Sequence, residues 1–267
     1  RISKLWFWES VHAVSWSSHW RLGVNPLHGL TMNGNNGSSK NLRSLTHDAG
    51  LNPEHDNTGH PSGAHIFIEA SRKGAAAADG GANLCMQYGY QPRQVIGDLD
   101  SISASVRREI DPERLVHVTE QETTDFEKLL IRVDAPLMLA IGFLGDRVEH
   151  QMAVQTVLTA YAHQKIICVG EQDIMFLCPP EINLSVDSGT RVSLYPMAPV
   201  QVRSTGLYWA TDDLLFAPDG QIGTSNQATG PVTLIPNAPR MLVIFPKTCL
   251  DIAINALQTA PYWDAPI

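Results

Sequence analysis

The chain has 267 residues, of which 43% are hydrophobic, and its formal net charge is -8. This size and composition suit one large domain or two modest ones with a substantial hydrophobic core. The acidic charge, together with the lack of any Lys/Arg cluster, argues against a protein that binds nucleic acid.

The four cysteines form no C-x-x-C pair, which argues against a zinc site or a disulfide framework. Mostly apolar residues flank them, so reduced, buried thiols in a cytoplasmic protein are predicted. The longest apolar run, Leu137 to Leu144, is too short to cross a membrane. No membrane partner is therefore expected.

Residues 1–62 show no sustained helical or strand period, and clusters of Asn, Gly and Ser such as Asn33 to Ser39 are typical of loops. Six histidines lie here at irregular spacing, which leaves metal binding open as an alternative. We predict an atypical and poorly ordered extension.

Residues 63–171 alternate short apolar runs with helical patterns. The predicted strands are Gln94–Ile96, Leu115–Val118, Leu137–Ile141 and Lys165–Val169, with one more strand-like run at His65–Glu69. The predicted helices are Ser103–Ile110, Thr124–Val133 and Val148–His163. The alternation predicts an α/β domain with a parallel sheet flanked by helices. Ligands on such sheets bind at the carboxyl ends of the strands.

Residues 172–267 contain short strands separated by turns such as Asp187-Ser188-Gly189 and Pro218-Asp219-Gly220. The predicted strands are Ile174–Leu177, Ile182–Val186, Arg191–Tyr195, Val200–Ser204, Leu214–Ala217, Val232–Ile235 and Met241–Ile244. Strands at this spacing favour an antiparallel sandwich or barrel domain.

The most informative local feature is a pair of aspartates directly after a predicted strand, in Gly97-Asp98-Leu99-Asp100-Ser101. If the extended backbone continues, both carboxylates point to the same side. Carboxylates held this close repel each other unless a cation lies between them, and oxygen ligands suit Mg²⁺. A polar turn is the alternative interpretation, in which Ser101 caps the following helix.

Two further segments follow predicted strands or precede helices. Asp125 lies in the first turn of a predicted helix and adds a third carboxylate at the same edge of the sheet. The paired glycines in Asp79-Gly80-Gly81 allow a close backbone approach to a phosphate group, although an ordinary turn explains them equally well.

Six short motifs, in their order and spacing, resemble the thiamine pyrophosphokinase family. They are Asp79-Gly80-Gly81-Ala82, Gly97 to Ser101, Gln121 with Thr123 to Lys128, Gly145 to His150, Ser204 to Trp209, and Thr224-Ser225-Asn226. The resemblance implies an α/β domain that binds ATP and Mg²⁺, followed by an antiparallel β-sandwich domain. It also implies a homodimer with its sites between the two subunits.

The resemblance further implies roles for individual residues. Asp98, Asp100 and Asp125 would hold Mg²⁺, with Gln121 beside them in the catalytic group. The ATP site would include Asp79, Gly80, Lys128, Arg147 and Glu149, and the thiamine site would include Trp209, Ser225 and Asn226.

The chain also departs from the family pattern. Glu149 replaces the usual aspartate, and no glycine-rich turn follows the strand-like run at His65–Glu69. Residues 1–73 do not resemble the family.

The predicted activity is Mg²⁺-dependent transfer of diphosphate from ATP to the hydroxyl of thiamine, which releases AMP. One alternative is a module that binds thiamine or a nucleotide without transferring a group. Another is a general Mg²⁺-dependent phosphoesterase, which the carboxylates alone would permit.

Overall fold

The computed structural model describes residues 75–120, 122–145 and 147–265 in full. Outside these ranges it describes only the backbone of three strands, β1 (Thr31–Asn33), β2 (Ser39–Asn41) and β3 (Ile66–Glu69). β1 pairs with β2 in an antiparallel hairpin. The remainder of the predicted extension over residues 1–62 lies outside the described residues, so its lack of order stays a prediction.

The other elements follow in chain order. The strands are β4 (Ala75–Ala78), β5 (Gln94–Gly97), β6 (Leu115–His117), β7 (Met138–Ile141), β8 (Ile166–Val169), β9 (Asp173–Leu177), β10 (Ile182–Leu184), β11 (Arg191–Pro196), β12 (Val200–Leu207), β13 (Leu215–Phe216), β14 (Gly223–Pro236) and β15 (Met241–Pro246). The α-helices are α1 (Gly81–Gln87), α2 (Ala104–Glu109), α3 (Asp125–Leu130), α4 (Val148–Ala160) and α5 (Leu250–Thr259), and short 3₁₀ helices cover Pro112–Arg114 and Lys247–Cys249.

Five strands of the first half run in one direction. β4, β5 and β6 pair in parallel, and so do β7 and β8. β4, β7 and β8 are buried along their whole length and consist of apolar residues, as expected for strands that are covered on both faces. The predicted parallel sheet with its helices is confirmed for this part.

β3 departs from that prediction, because it lies between β4 and β7 and is antiparallel to both. The physical reason is the length of the connection that follows it. Only five residues, 70–74, separate β3 from β4, whereas a parallel crossover needs about a dozen or more.

The two faces of the sheet bury two separate hydrophobic clusters. Along β7, Leu139 and Ile141 face one cluster, and Met138 and Ala140 face the other. Residues of α1 and α5 pack into the first cluster, and residues of α3 and α4 pack into the second. The helices therefore lie on both faces of the sheet.

The predicted antiparallel pairing of the second half is confirmed, whereas the sandwich arrangement stays a prediction. These strands continue the same hydrogen-bonded sheet. β9 pairs antiparallel with β8 and with β15. The strand order is β13-β12-β14-β11-β15-β9-β8-β7-β3-β4-β5-β6, with β10 attached to β14. The division into domains at residues 171 and 172 stays a prediction.

β14 is much longer than the predicted strand Val232–Ile235. Its first part pairs with β11, and its last part pairs with β10 and β12. The strand accommodates two irregularities along its length. Ser225 has φ 62° and Gly230 has φ 156°, and the pairing register shifts nearby.

Across the described part of the chain, every helix falls short of the length and apolarity that spanning a bilayer would need.

Gly206 lies in β12 where the pairing register with β14 shifts, and it has φ 76°. An added Cβ would lie 2.0 Å from the carbonyl oxygen of Pro231, which is backbone and cannot swing away. We expect Gly206→Ala to lower the free energy of unfolding by at least about 2 kcal/mol, measured by urea denaturation. Gly220→Ala is the control, because its Cβ would meet only Ala217 at 3.6 Å. Equal urea midpoints for the two variants would contradict the prediction.

Candidate active site

The strand directions bring four of the predicted site residues to one edge of the sheet. Asp79 directly follows β4, and Asp98 and Asp100 follow β5. Because β4 and β5 are parallel and adjacent, their carboxyl ends meet at the same edge. Arg147 lies between β7, which runs in the same direction, and α4, and it directly precedes α4.

Three carboxylates form a compact group at this edge. Asp79, Asp98 and Asp100 each contribute an oxygen atom, and these atoms all lie within 4.8 Å of one another. Asp98 and Asp100 are exposed, whereas Asp79 is only 9% exposed. An all-oxygen ligand set of this kind suits a hard divalent cation such as Mg²⁺.

Asp79 is held tightly at the base of the group. Its backbone N–H donates to the Ile96 carbonyl at 3.1 Å, and its Oδ2 accepts from the Ser101 N–H at 3.3 Å. Its Oδ1 is buried and has no hydrogen-bond partner. A buried carboxylate oxygen without a partner is costly, and a bound cation would satisfy it.

Burial raises the pKa of Asp79 to about 6. The hydrogen bonds from Ser101 oppose this rise, and the nearby charges of Asp98 and Asp100 add to it. A glycine is required beside Asp79, because a Cβ at Gly97 would lie 3.1 Å from the Asp79 Cβ, and Gly97 has φ 154°.

The turn that carries Asp98 and Asp100 differs from the predicted extended geometry. Leu99 between them is buried and has φ 64°, so a left-handed residue and not a continued strand brings the two carboxylates to one side. The Leu99 carbonyl accepts from Arg107 Nη1 at 3.2 Å. The alternative role of Ser101 as a helix cap is wrong. Ser103 caps α2 by accepting from the Val106 N–H, whereas Ser101 Oγ donates to Asp100 Oδ1 at 2.9 Å.

Asp125 is not a member of the three-carboxylate group. It lies in the first turn of α3, where its Oδ1 is 3.8 Å from the Nζ of Lys128. The Lys128 side chain is only 6% exposed, so its contact with a phosphate group stays a prediction. The predicted Mg²⁺ contact of Asp125 also stays a prediction, and Gln121 lies outside the described residues.

Glu120 orders the segment before α3, although the sequence did not single it out. Its carboxylate accepts from the N–H groups of Glu122 at 2.8 Å and Thr123 at 3.0 Å, and from the Thr123 hydroxyl. These bonds, chiefly that of the Thr123 side chain, lower the pKa of Glu120. The structure therefore uses this carboxylate to shape the loop.

Arg147 and Glu149 form an exposed ion pair at the start of α4. Arg147 Nη2 lies 2.6 Å from Glu149 Oε1. A hydrogen bond from its own backbone N–H and the bond from Arg147 lower the pKa of Glu149. Gly80 directly precedes α1. The predicted contacts of these three residues with ATP stay predictions.

The predicted thiamine-binding residues lie in the antiparallel half. Trp209 is 58% exposed, and its ring packs edge-on against Tyr208 with centroids 4.7 Å apart. Asn226 is buried and holds the Trp209 backbone, because its Nδ2 donates to the Trp209 carbonyl at 2.7 Å and its Oδ1 accepts from the Trp209 N–H at 3.2 Å. Ser225 is exposed, and its N–H donates to the hydroxyl of Ser193.

Comparisons with known proteins confirm the resemblance seen in the motifs. Residues 69–169 match the family model described as thiamin pyrophosphokinase, catalytic domain. The chain is 29% identical over 157 residues to thiamine pyrophosphokinase 1 of Oryza sativa subsp. japonica, a match that covers 51% of this chain and 59% of the relative. It is 26% identical over 183 residues to thiamine pyrophosphokinase 1 of Arabidopsis thaliana, which covers 56% of this chain and 68% of that relative.

Solved structures show that the fold is shared. Thiamin pyrophosphokinase from Candida albicans superposes with a TM-score of 0.57 at 18% identity, over 64% of this chain and 80% of that chain. The Bacillus subtilis thiamine pyrophosphokinase gives 0.55 at 20% identity, over 64% and 86%. The chain spans less than two thirds of the length of the rice relatives that it matches, 59% and 58%.

The raised pKa of Asp79 predicts a pH dependence of stability. Between the ordinary value of 3.8 and the folded value of about 6, the folded state binds more protons than the unfolded chain. Stability without metal therefore falls as pH rises through this window. Across this window the free energy of unfolding of the wild type should fall by up to about 3 kcal/mol. We expect Asp79→Asn, which keeps an acceptor for the Ser101 N–H, to abolish this fall.

Urea denaturation in EDTA at several pH values between about 4 and 7 measures this effect. The control is Asp264→Asn, which changes an exposed aspartate. Stability profiles of Asp79→Asn and wild type that run parallel across the window would contradict the prediction.

Proposed function

We propose that this chain, in which residues 69–169 match the catalytic domain of thiamine pyrophosphokinases, transfers a diphosphate group from ATP to the hydroxyl of thiamine. The observation that carries the proposal is the group formed by Asp79, Asp98 and Asp100 at the carboxyl ends of β4 and β5. Ligands on sheets of this kind bind at that edge.

The residues present fit a Mg²⁺ ion. The donor set consists of oxygen atoms alone, and the buried Oδ1 of Asp79 lacks a partner that a cation would supply. Asp98 and Asp100 would hold the ion together with Asp79, and the resemblance adds Asp125. A Mg²⁺ ion at these residues would neutralise negative charge on the triphosphate of ATP.

The remaining rim residues suit the binding of phosphate groups. Arg147 is exposed and lies at the start of α4, so its guanidinium group is accessible to a polyphosphate. Glu149 holds this side chain through their ion pair. Lys128 is buried, and its positively charged Nζ lies 3.8 Å from Asp125 Oδ1.

The proposed transfer balances as a simple displacement. The thiamine hydroxyl oxygen forms a bond to the β-phosphorus of ATP, and the bond from that phosphorus to the bridging α-phosphate oxygen breaks. AMP leaves, and the hydroxyl proton passes to a carboxylate at the rim. Such a reaction depends on charge neutralisation and positioning more than on a strong nucleophile.

Trp209 and Asn226 support the choice of thiamine as acceptor. The thiazolium ring of thiamine is permanently cationic, and the face of an indole ring attracts such a cation. Trp209 is largely exposed, and Asn226 fixes its backbone, so the ring is both available and positioned. The predicted homodimer, with its sites between the two subunits, is part of the same proposal.

The cellular location is part of the same proposal. All four cysteines are free and buried, which supports the prediction of a reducing, cytoplasmic environment.

The assay that tests the function is AMP formation from ATP, with and without thiamine and with Mg²⁺ or EDTA. We expect AMP only when both thiamine and Mg²⁺ are present. Thiamine binding without AMP would instead indicate a binding module, and phosphate release without thiamine would indicate a phosphoesterase.

A substitution at the carboxylate group links the activity to this site. We expect Asp100→Asn to lower kcat by about 100-fold or more, because it removes a negative charge that binds the cation. Asp264→Asn is the matched control at an exposed aspartate and should leave kcat unchanged. A wild-type kcat for Asp100→Asn would exclude Asp100 from the reaction.

A second prediction separates the two substrates. We expect Trp209→Ala to raise the KM for thiamine by roughly 2–30-fold, because a cation–π contact contributes about 0.5–2 kcal/mol. The KM for ATP should stay unchanged, and Trp209→Phe should fall between alanine and wild type. Equal changes in both KM values would mean that Trp209 has only a structural role.

A further inference from the structure

Asn83 joins helix α1 to the loop that carries two of the three carboxylates. Its Nδ2 donates to the Ser101 carbonyl at 2.9 Å, and its Oδ1 accepts from the Ser103 N–H at 3.0 Å. Asn83 lies four residues after Asp79, and its own N–H donates to the Gly80 carbonyl. A single side chain therefore spans the two segments that meet at the site.

We propose that Asn83 is a positioning residue that holds Asp98 and Asp100 beside Asp79. This inference rests on the proposed function insofar as the three carboxylates bind a divalent cation. Neither the motifs nor the resemblance assigned a role to Asn83.

The loop needs such a brace for two reasons. Three carboxylates within 4.8 Å repel one another when no cation is bound. Leu99 has φ 64°, a conformation that is unfavourable for a residue with a side chain. Without external contacts, both effects favour a loop that relaxes away from Asp79.

In the described part of the chain, three side chains outside the loop form hydrogen bonds with its backbone. Asn83 bonds the backbone of Ser101 and Ser103, Asp79 accepts from the Ser101 N–H, and Arg107 donates to the Leu99 carbonyl. Asn83 contributes two of these four bonds and is uncharged, so it braces the loop without altering the charge of the site.

The chemistry of the two bonds explains why the residue is an asparagine. The Ser101 carbonyl can only accept, and the Ser103 N–H can only donate, so the side chain must offer one donor and one acceptor. An amide does both with two adjacent atoms. An aspartate of the same shape would turn a carboxylate oxygen toward the Ser101 carbonyl, and alanine would lose both bonds.

The test measures divalent-cation binding directly, independent of thiamine. Mn²⁺ is titrated into the full chain, and free Mn²⁺ is followed by electron paramagnetic resonance. We expect Asn83→Ala to raise the Kd for Mn²⁺ by roughly 10–100-fold, the range typical for residues that orient metal ligands. Asn83→Asp should also weaken binding, even though its added negative charge attracts a cation.

Two control variants show whether Mn²⁺ binds at the three carboxylates. Asp79→Asn should abolish high-affinity binding, and Asn255→Ala, at an exposed asparagine on α5, should bind like wild type. Thermal denaturation in EDTA checks that each variant is folded. Asn83→Asp keeps the size of the side chain and replaces Asn83→Ala in the comparison if the alanine variant does not fold.

The outcomes distinguish a failure of the metal site from a failure of the role of Asn83. If wild type binds Mn²⁺, Asp79→Asn does not, and Asn83→Ala binds with wild-type affinity, the role of Asn83 is overturned while the metal site stands. If wild type binds no Mn²⁺, or Asp79→Asn binds it unchanged, the metal site and the role of Asn83 fail together. If Asn83→Ala is folded and binds Mn²⁺ more weakly than wild type, while Asn255→Ala binds like wild type, the inference is supported.

Discussion

Three carboxylates that repel one another are held together at one edge of the sheet, and this is the main constraint on the structure of the site. Asp79, Asp98 and Asp100 lie close enough for their oxygen atoms to fall within 4.8 Å of one another. Such an arrangement raises the energy of the metal-free fold. Burial is the main cause of the raised pKa of Asp79, and the charges of Asp98 and Asp100 add to it. Gly97 leaves room for the Asp79 Cβ, and the left-handed Leu99 lies between the two exposed aspartates.

The direction of the strands decides where this group forms. β3 is antiparallel to both of its neighbours, and for that reason β4 and β7 run the same way. The carboxyl ends of β4, β5 and β7 therefore share one edge, where the aspartates and Arg147 are found. Glu69, the last residue of β3, pairs with Met138 at the start of β7. β3 thus ends at the opposite edge from the carboxylates.

Much of this arrangement could be predicted from the sequence, because apolar runs followed by acidic residues are a local signal. The elements between residues 75 and 171 that were predicted are found with ends that differ by no more than three residues. Other features depend on contacts distant in sequence. Asp79 joins the group because β4 and β5 are adjacent, and the length of β14 comes from partners on both sides.

Asn83 and Asn226 each fix the backbone beside an exposed functional group, and they do so in the same way in two parts of the molecule. A group that receives a ligand must be exposed, as Asp98, Asp100 and Trp209 are, and packing against neighbours cannot then fix its position. In both places an amide side chain bonds a backbone carbonyl and a backbone N–H beside the exposed group. Because an amide carries no charge and satisfies both kinds of backbone group, it restricts the backbone while the functional side chain stays free to meet its ligand.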